Sequence, residues 1–323
     1  MDYVTKLKNK VLAGKRLTRN EALKLYDQPL SKLTNAANEI REHFCANKFD
    51  LCTIINAKNG HCSENCKFCS QSSFNRAKIE CYPLLSNQII IDEAIKSDQQ
   101  GILRFSIVTS GKRLNDQEID QVCLAIKEIK KRSTISICAS LGLLNENQYR
   151  KLKNAGLTRI HNNLETAPNN FANICTTHTF EDKIKAIKAA QKEGLFVCSG
   201  GIMGLGESKE DRIDLALALR ELEIKSVPVN MLNPISGTPL QDNIPLTNEE
   251  MCRIVATYRF LLPDSAIRLA GGRGLMDDKG KSCFTSGANA TITGDMLTTA
   301  GISVKTDLQL IDELGFKVAY CNE

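Results

Sequence analysis

Short apolar runs and amphipathic stretches alternate along most of this chain. Apolar and β-branched residues concentrate at 53–56, 104–109, 134–139, 159–164, 195–199, 226–231, 266–269 and 290–294, which predicts eight strands. Between many of them lie helical patterns with N-terminal capping signatures: Thr179 with Asp182, Ser208 with Asp211, and Thr247 with Glu250. In each, a side-chain oxygen can accept the N–H groups that the first helical turn leaves unpaired. Repeated alternation of strand and helix predicts a parallel sheet and an α/β class. Spacing does not decide closure, but eight strands favour a (β/α)8 barrel of TIM type over an open sheet. Two helical patterns, around residues 19–26 and 33–44, precede the first strand and predict an N-terminal helical extension over 1–45, with the barrel domain over 46–323.

Composition narrows the function classes. With 323 residues, 42% hydrophobic and 24% charged, the chain has the balance of an ordinary globular protein rather than a disordered one. No stretch approaches the roughly 18 apolar residues of a membrane span. The first residues mix Lys6, Lys8, Lys10, Lys15 and Arg16 with isolated apolar positions and lack the apolar segment of a secretory signal, so a cytoplasmic address is expected. The net charge of +5 is spread along the chain. Its basic runs at Lys127, Lys131 and Arg132 and at Lys151 and Lys153 carry no interleaved aromatics, the pattern of solvated helix faces. Neither nucleic acid nor a membrane is expected as a partner.

Thirteen cysteines are too few for a disulfide scaffold at this length, and their odd number suits metal ligation better than pairing. Three of them, Cys62, Cys66 and Cys69, are spaced C-x3-C-x2-C directly after the first predicted strand. Three thiolates can hold three irons of a cubane and leave the fourth open to a substrate, whereas clusters used only for electron transfer normally have four protein ligands. A zinc knuckle is the alternative, but a structural zinc site needs a fourth ligand, and His61 beside Cys62 is badly placed to be one. The segment from Ser199 to Glu207, Ser-Gly-Gly-Ile-Met-Gly-Leu-Gly-Glu, lacks the Lys and Ser/Thr of a phosphate loop and the third glycine of a dinucleotide fingerprint. Close approach of its backbone to a ligand at a strand end is the expectation.

The cysteine motif and the αβ pattern after it resemble the radical S-adenosylmethionine superfamily. That resemblance implies a 4Fe–4S cluster whose open iron chelates the methionine part of S-adenosylmethionine, reductive cleavage to a 5′-deoxyadenosyl radical, and an aromatic residue near the adenine, here Phe68. Longer segments resemble the biotin synthase family specifically: residues 59–72, His161-Asn162-Asn163-Leu164-Glu165-Thr166, residues 197–207 with Ile202, Val227-Pro228-Val229-Asn230-Met231-Leu232, and Ile267-Arg268-Leu269-Ala270. They occur in that family's order and cover roughly 40 to 315 of the chain.

The family resemblance implies a homodimeric barrel that inserts sulfur into dethiobiotin, an electron donor of flavodoxin or ferredoxin type, and help from iron–sulfur assembly machinery. It also implies an auxiliary iron–sulfur cluster as sulfur source, 2Fe–2S or a larger variant, with Cys138, Cys198 and Arg268 among its ligands. The fourth family position holds Ser106, a poor iron ligand beside thiolate. Cys52, on the neighbouring first strand, is expected to compensate if its side chain points inward, with Cys45 also in reach. Arg273 is a second candidate for neutralising the cluster. By the same resemblance Asn163 and Asn230 contact the ureido ring or the ribose, Glu165 binds ribose hydroxyls, and Ile202 lies at the cofactor. His178 stands where an arginine often meets the cofactor's carboxylate. Rival readings are a related radical enzyme of the hydrogenase-maturation or methylornithine-forming kind, and a metal-binding module without catalysis.

Overall fold

The computed structural model describes residues 1–321. Eight parallel strand positions close on themselves: β1 (Lys48–Lys58), β2 (Arg104–Thr109), β3 (Ser136–Ser140), β4 (Arg159–His161), β5 (Phe196–Cys198) continued by β6 (Gly201–Met203), β7 (Ser226–Met231), β8 (Ala266–Leu269) and β9 (Ala290–Thr293). Closure is made by β9 pairing with β1, Ala290 opposite Asp50 through Thr293 opposite Thr53. A two-residue β10 (Lys317–Val318) adds to the outer end of β1. The predicted barrel is therefore the observed one.

Helices cover the barrel: α4 (Asn87–Gln99), α5 (Asp116–Arg132), α6 (Glu146–Ala155), α7 (Pro168–Ile174), α8 (Phe180–Lys192), α9 (Lys209–Glu221), α10 (Asn248–Leu261), the short α11 (Lys281–Phe284) and α12 (Val304–Glu313). The three capping signatures are used as predicted, with Thr179, Ser208 and Thr247 accepting the backbone N–H groups of Asp182, Asp211 and Glu250. Before the barrel come three helices, α1 (Tyr3–Leu12), α2 (Arg19–Tyr26) and α3 (Leu30–Cys45), rather than two. The third packs on α10 and the second on α9 and α10, so α10 is covered on both sides, which explains why ten of its residues are buried.

The glycine-rich segment packs tightly on its neighbouring strands while its Ile202 reaches the barrel cavity. A Cβ on Gly200 would lie 1.9 Å from the Pro228 carbonyl oxygen, and one on Gly201 would lie 2.5 Å from that of Glu165. The close approach is thus to neighbouring backbone. These glycines let the broken strand β5–β6 dock against β7, where Cys198 faces Ser226 and Ile202 faces Asn230. Glu207, where a phosphate loop would have lysine, accepts the Gly204 N–H at 2.8 Å and binds Arg212 at 2.8 Å.

Candidate functional site

Side chains alternate along each strand, so every second residue enters the barrel. A cavity of about 380 Å³ lies at the carboxyl ends of the strands and reaches down the barrel axis. Its lining brings together Cys52, Cys69, Cys138, Cys198, Arg268, Phe68, Ile202, Asn163, Glu165 and Asn230, that is, most of the residues singled out from the sequence.

The lower part of the cavity carries three thiols and a cationic frame. Cys52 does point inward, as do Cys138 and Cys198, and all three are buried. Ser106 also lines the cavity; its register partners are Cys138 on β3 and Ile54 on β1. Cys52 is instead level with Arg104 and Ile292, two residues deeper than Ile54. The thiol absent at position 106 therefore reappears one strand over and one interior layer down. Cys198 accepts a hydrogen bond from the Ser226 hydroxyl at 3.3 Å. Burial would raise its pKa, but the His161 ring, Arg268 and Arg159 outweigh burial and hold the thiol down. Burial dominates at the others, pushing Cys52 up to about 11 and, with the neighbouring thiols Cys198 and Cys52, pushing Cys138 up as well.

Arg268 is anchored to Asp50. Its Nη2 lies 2.7 Å from Asp50 Oδ1, while Nη1 donates to the carbonyls of Asp50 and Thr291 at 3.1 and 2.8 Å. Arg104 reaches the other Asp50 oxygen at 3.2 Å. Although burial alone would raise the Asp50 carboxyl, Arg268, Arg104 and Arg159 hold it well below the usual carboxylate range. Sequence reasoning missed Asp50, Arg104 and Arg159. Charged residues inside predicted strands were the available signal, since a charge is buried only with a partner. The other two candidates lie elsewhere. Cys45 packs with Cys321, Ala266 and Ala290 in a separate cluster, and Arg273 is committed to Asp307 at 2.8 and 2.7 Å.

The upper part is built by the cysteine loop. Asn75 Nδ2 donates to the carbonyls of Cys66 and Cys69 at 3.1 and 2.8 Å, and Cys62 N–H donates to Gln71 O at 3.0 Å. These bonds gather Cys62, Cys66 and Cys69 into one turn, with Cys69 at the cavity wall. Phe68 and Ile202 pack against Ile174, Leu205 and Leu232, forming an apolar shelf beside the loop. Asn163 accepts the Gly200 N–H at 3.0 Å and donates to Glu165 at 3.3 Å. Glu165 itself sits at φ +69°, a conformation that non-glycine residues rarely adopt. Asn230 bridges Gly201 O at 3.0 Å and Gly271 N–H at 2.8 Å.

His178 is the exception among the expected contacts: it does not line the cavity. Its Nδ1 lies 2.6 Å from Glu64 Oε2 and 3.3 Å from Cys175 Sγ. A buried carboxylate and a buried thiol hold the ring beside the cysteine loop, away from the cavity. Neither Glu64 nor Cys175 was singled out from the sequence, because the contact joins segments more than 100 residues apart.

The residues present fit the two iron–sulfur groups that the resemblance implies. Three thiols in one surface loop and three inside the barrel form soft donor sets, and the buried guanidiniums offer charge that an anionic cluster needs on leaving water.

Comparison with known proteins is consistent with this geometry. Residues 59–219 match the Radical SAM superfamily, and residues 228–317 match the Biotin and Thiamin Synthesis associated domain. A biotin synthase from Brachyspira hyodysenteriae is 58% identical over 97% of this chain and 94% of its own length. One from Akkermansia muciniphila is 52% identical over 98% of this chain and 99% of its own. Among solved structures, a methylornithine synthase aligns with a TM-score of 0.85 at 20% identity, covering 97% of both chains. The FeFe-hydrogenase maturase HydG from Carboxydothermus hydrogenoformans aligns at 0.84 with 18% identity, covering 99% of this chain and 80% of that one. At such identities these two likenesses establish a shared fold.

Proposed function

This chain belongs to the biotin synthase family, and from that premise we propose how its own residues serve radical sulfur insertion into dethiobiotin. Membership makes it an enzyme that uses a 4Fe–4S cluster and S-adenosylmethionine, with an auxiliary cluster expected. When bound, these groups supply an electron, a hydrogen-abstracting radical and the sulfur.

Cys62, Cys66 and Cys69 hold the 4Fe–4S cluster. Cys52, Cys138 and Cys198, with Arg268, hold the auxiliary cluster. The observation that carries this reading is the convergence of those three thiols and Arg268 on one buried cavity. Asp50 fixes the guanidinium by taking one Nη2 hydrogen while carbonyls take both Nη1 hydrogens, leaving two of its five N–H groups. Those remaining groups serve the cluster.

Substrate contacts follow from unspent hydrogen-bonding capacity. A side-chain amide has two N–H donors and two acceptor lone pairs, and Asn230 uses one of each on backbone. What remains complements a ureido ring, which presents both N–H and C=O. Asn163 likewise uses one donor on Glu165 and one acceptor on Gly200, so it orients the Glu165 carboxylate that receives the ribose hydroxyls and keeps one of each for the ribose or the ureido ring. Phe68 and Ile202 form the flat apolar wall for adenine.

The electron donor, of flavodoxin or ferredoxin type, docks on a basic groove of about 780 Å³ that exposes Lys112, Arg113, Lys185, Lys188 and Lys192 against Glu146 and Asp182. Lys112 Nζ donates to Thr177 O at 3.0 Å, and the Asn65 N–H donates to the Thr177 hydroxyl at 3.1 Å, tying the groove to the cysteine loop. A reducing, cytoplasmic setting belongs to the same reading, because the thiols that hold the clusters must stay unpaired; among the described residues no helix is long and apolar enough to cross a membrane. A homodimer, loaded by iron–sulfur assembly machinery, completes the reading.

An anaerobic single-turnover assay that measures biotin and 5′-deoxyadenosine together tests the assignment. Cys62→Ala should abolish both products. Cys138→Ala and Cys198→Ala should abolish biotin while deoxyadenosine persists, and biotin formation by either would remove that thiol from the auxiliary site.

A further inference from the structure

At the cysteine loop, Cys66, Cys175 and His178 each present one ligand atom, all within 4.8 Å of one another. Cys175 Sγ and His178 Nδ1 are 3.3 Å apart. This spacing is informative because zinc bonds of about 2.3 Å to sulfur and about 2.0 Å to nitrogen place tetrahedral ligands about 3.5–3.8 Å from each other. Cysteines of a cubane each bind a different iron, so no such crowding is required of them. The Cys175–His178 pair is close to that spacing, and Cys66, within 4.8 Å of both, has about 1 Å to close before the three share a single ion.

The surroundings supply the rest of a metal site. Glu64 Oε2 lies 2.6 Å from His178 Nδ1, and both side chains are nearly inaccessible, at 7% and 5% exposure. Its carboxylate lies outside the 4.8 Å trio and swings from the imidazole toward the ion to serve as a fourth ligand. The Thr177 hydroxyl donates to the same Glu64 oxygen at 2.8 Å, and Asn65 Oδ1 accepts from Cys175 at 3.3 Å, fixing both residues from the far side. Sulfur and imidazole donors select zinc, ferrous or cobaltous ions over magnesium or calcium.

We propose that Cys66, Cys175, His178 and Glu64 form a mononuclear site for a thiophilic divalent cation, filled in competition with the 4Fe–4S cluster. The competition rests on the reading above in which Cys66 is a cluster ligand: one thiolate cannot serve both. A cation held here takes the Cys66 thiolate from the cluster and blocks its assembly, so free zinc acts as an inhibitor of maturation.

The probe is cobalt(II), titrated without oxygen into the full-length, cluster-free chain and followed by the visible and near-ultraviolet bands of tetrahedral cobalt thiolate. The parent chain should bind one tetrahedral cobalt equivalent more than Cys175→Ala does, and His178→Gln should weaken that additional equivalent at least tenfold. Cys62→Ala should retain it, because Cys62 belongs to the motif but not to this site. An equal number of cobalt equivalents in the parent and in Cys175→Ala, or loss of the additional equivalent in Cys62→Ala, overturns the proposal. Competition is read by adding one equivalent of zinc before iron and sulfide: cluster iron should fall in the parent and hold in Cys175→Ala, and equal loss in both also overturns it. If reconstituted Cys62→Ala keeps a complete cluster, the cluster assignment fails instead, while the cobalt result stands.

Discussion

Asp50 and Arg268 meet across β9, Oδ1 to Nη2 at 2.7 Å, inside a barrel where both side chains are at most 2% exposed. The same carboxylate also binds Arg104 at 3.2 Å. Removing one partner of a buried ion pair strands the other, at a cost of about 3–5 kcal/mol. Asp50→Asn keeps the shape and removes the charge. It should lower unfolding free energy by roughly that amount, measured by denaturant titration of the cluster-free chain, and should reduce auxiliary iron per chain because Arg268 loses its anchor. A variant as stable as the parent would mean that Asp50 does not organise the frame.

Two glycine substitutions on either side of β6, Gly200→Ala and Gly206→Ala, should separate steric from conformational cost. Gly200→Ala drives a Cβ to 1.9 Å from the Pro228 carbonyl, which neither strand can relieve without giving up the β5–β7 pairing. The expected result is failure to accumulate folded protein. Gly206→Ala meets nothing within 4 Å and carries only the cost of its φ of +90°, about 1–2 kcal/mol. Thermal unfolding of both checks this, and tolerance of Gly200→Ala would contradict the described packing.

The basic groove carries an electrostatic prediction. Reversing two charges, Lys185→Glu with Lys188→Glu, should slow reduction by a flavodoxin about tenfold at low salt, with the difference shrinking as salt rises. Deoxyadenosine formation driven by dithionite should be unchanged, since a small reductant needs no docking surface. Equal slowing with both reductants would place the effect in the catalytic site.

Much of this was legible in the chain itself. The strands at 104–109, 226–231 and 266–269 match to the residue, because apolar runs bounded by polar breaks leave little choice of ends. The strand expected over 159–164 stops at His161, where the chain turns toward the left-handed Glu165. Helix α1 escaped notice because lysines alternate with its apolar residues, and only Val4, Leu7 and Val11 reach the core. The Cys62 motif needed no structure. The orientation of Cys52 did, since parity along a strand inverts with a one-residue shift in register. Cys175 was illegible for a different reason: its role depends on a loop more than 100 residues away.

The displaced thiol gives the sharpest test of the auxiliary site. Ser106 is buried and in register with Cys138 on the adjacent strand, so a sulfur at position 106 would face the same cavity. Cys52→Ala should therefore lose auxiliary iron and sulfide while still producing deoxyadenosine. Adding Ser106→Cys to that variant restores a third thiol beside Cys138 and Cys198, and should recover iron, sulfide and biotin together. Rescue would show that the barrel tolerates the ligand on either strand. Recovery of iron without biotin would show that the cluster forms in either layer but delivers its sulfur only from the deeper one, and an undiminished cluster in Cys52→Ala would remove Cys52 from the ligand set altogether.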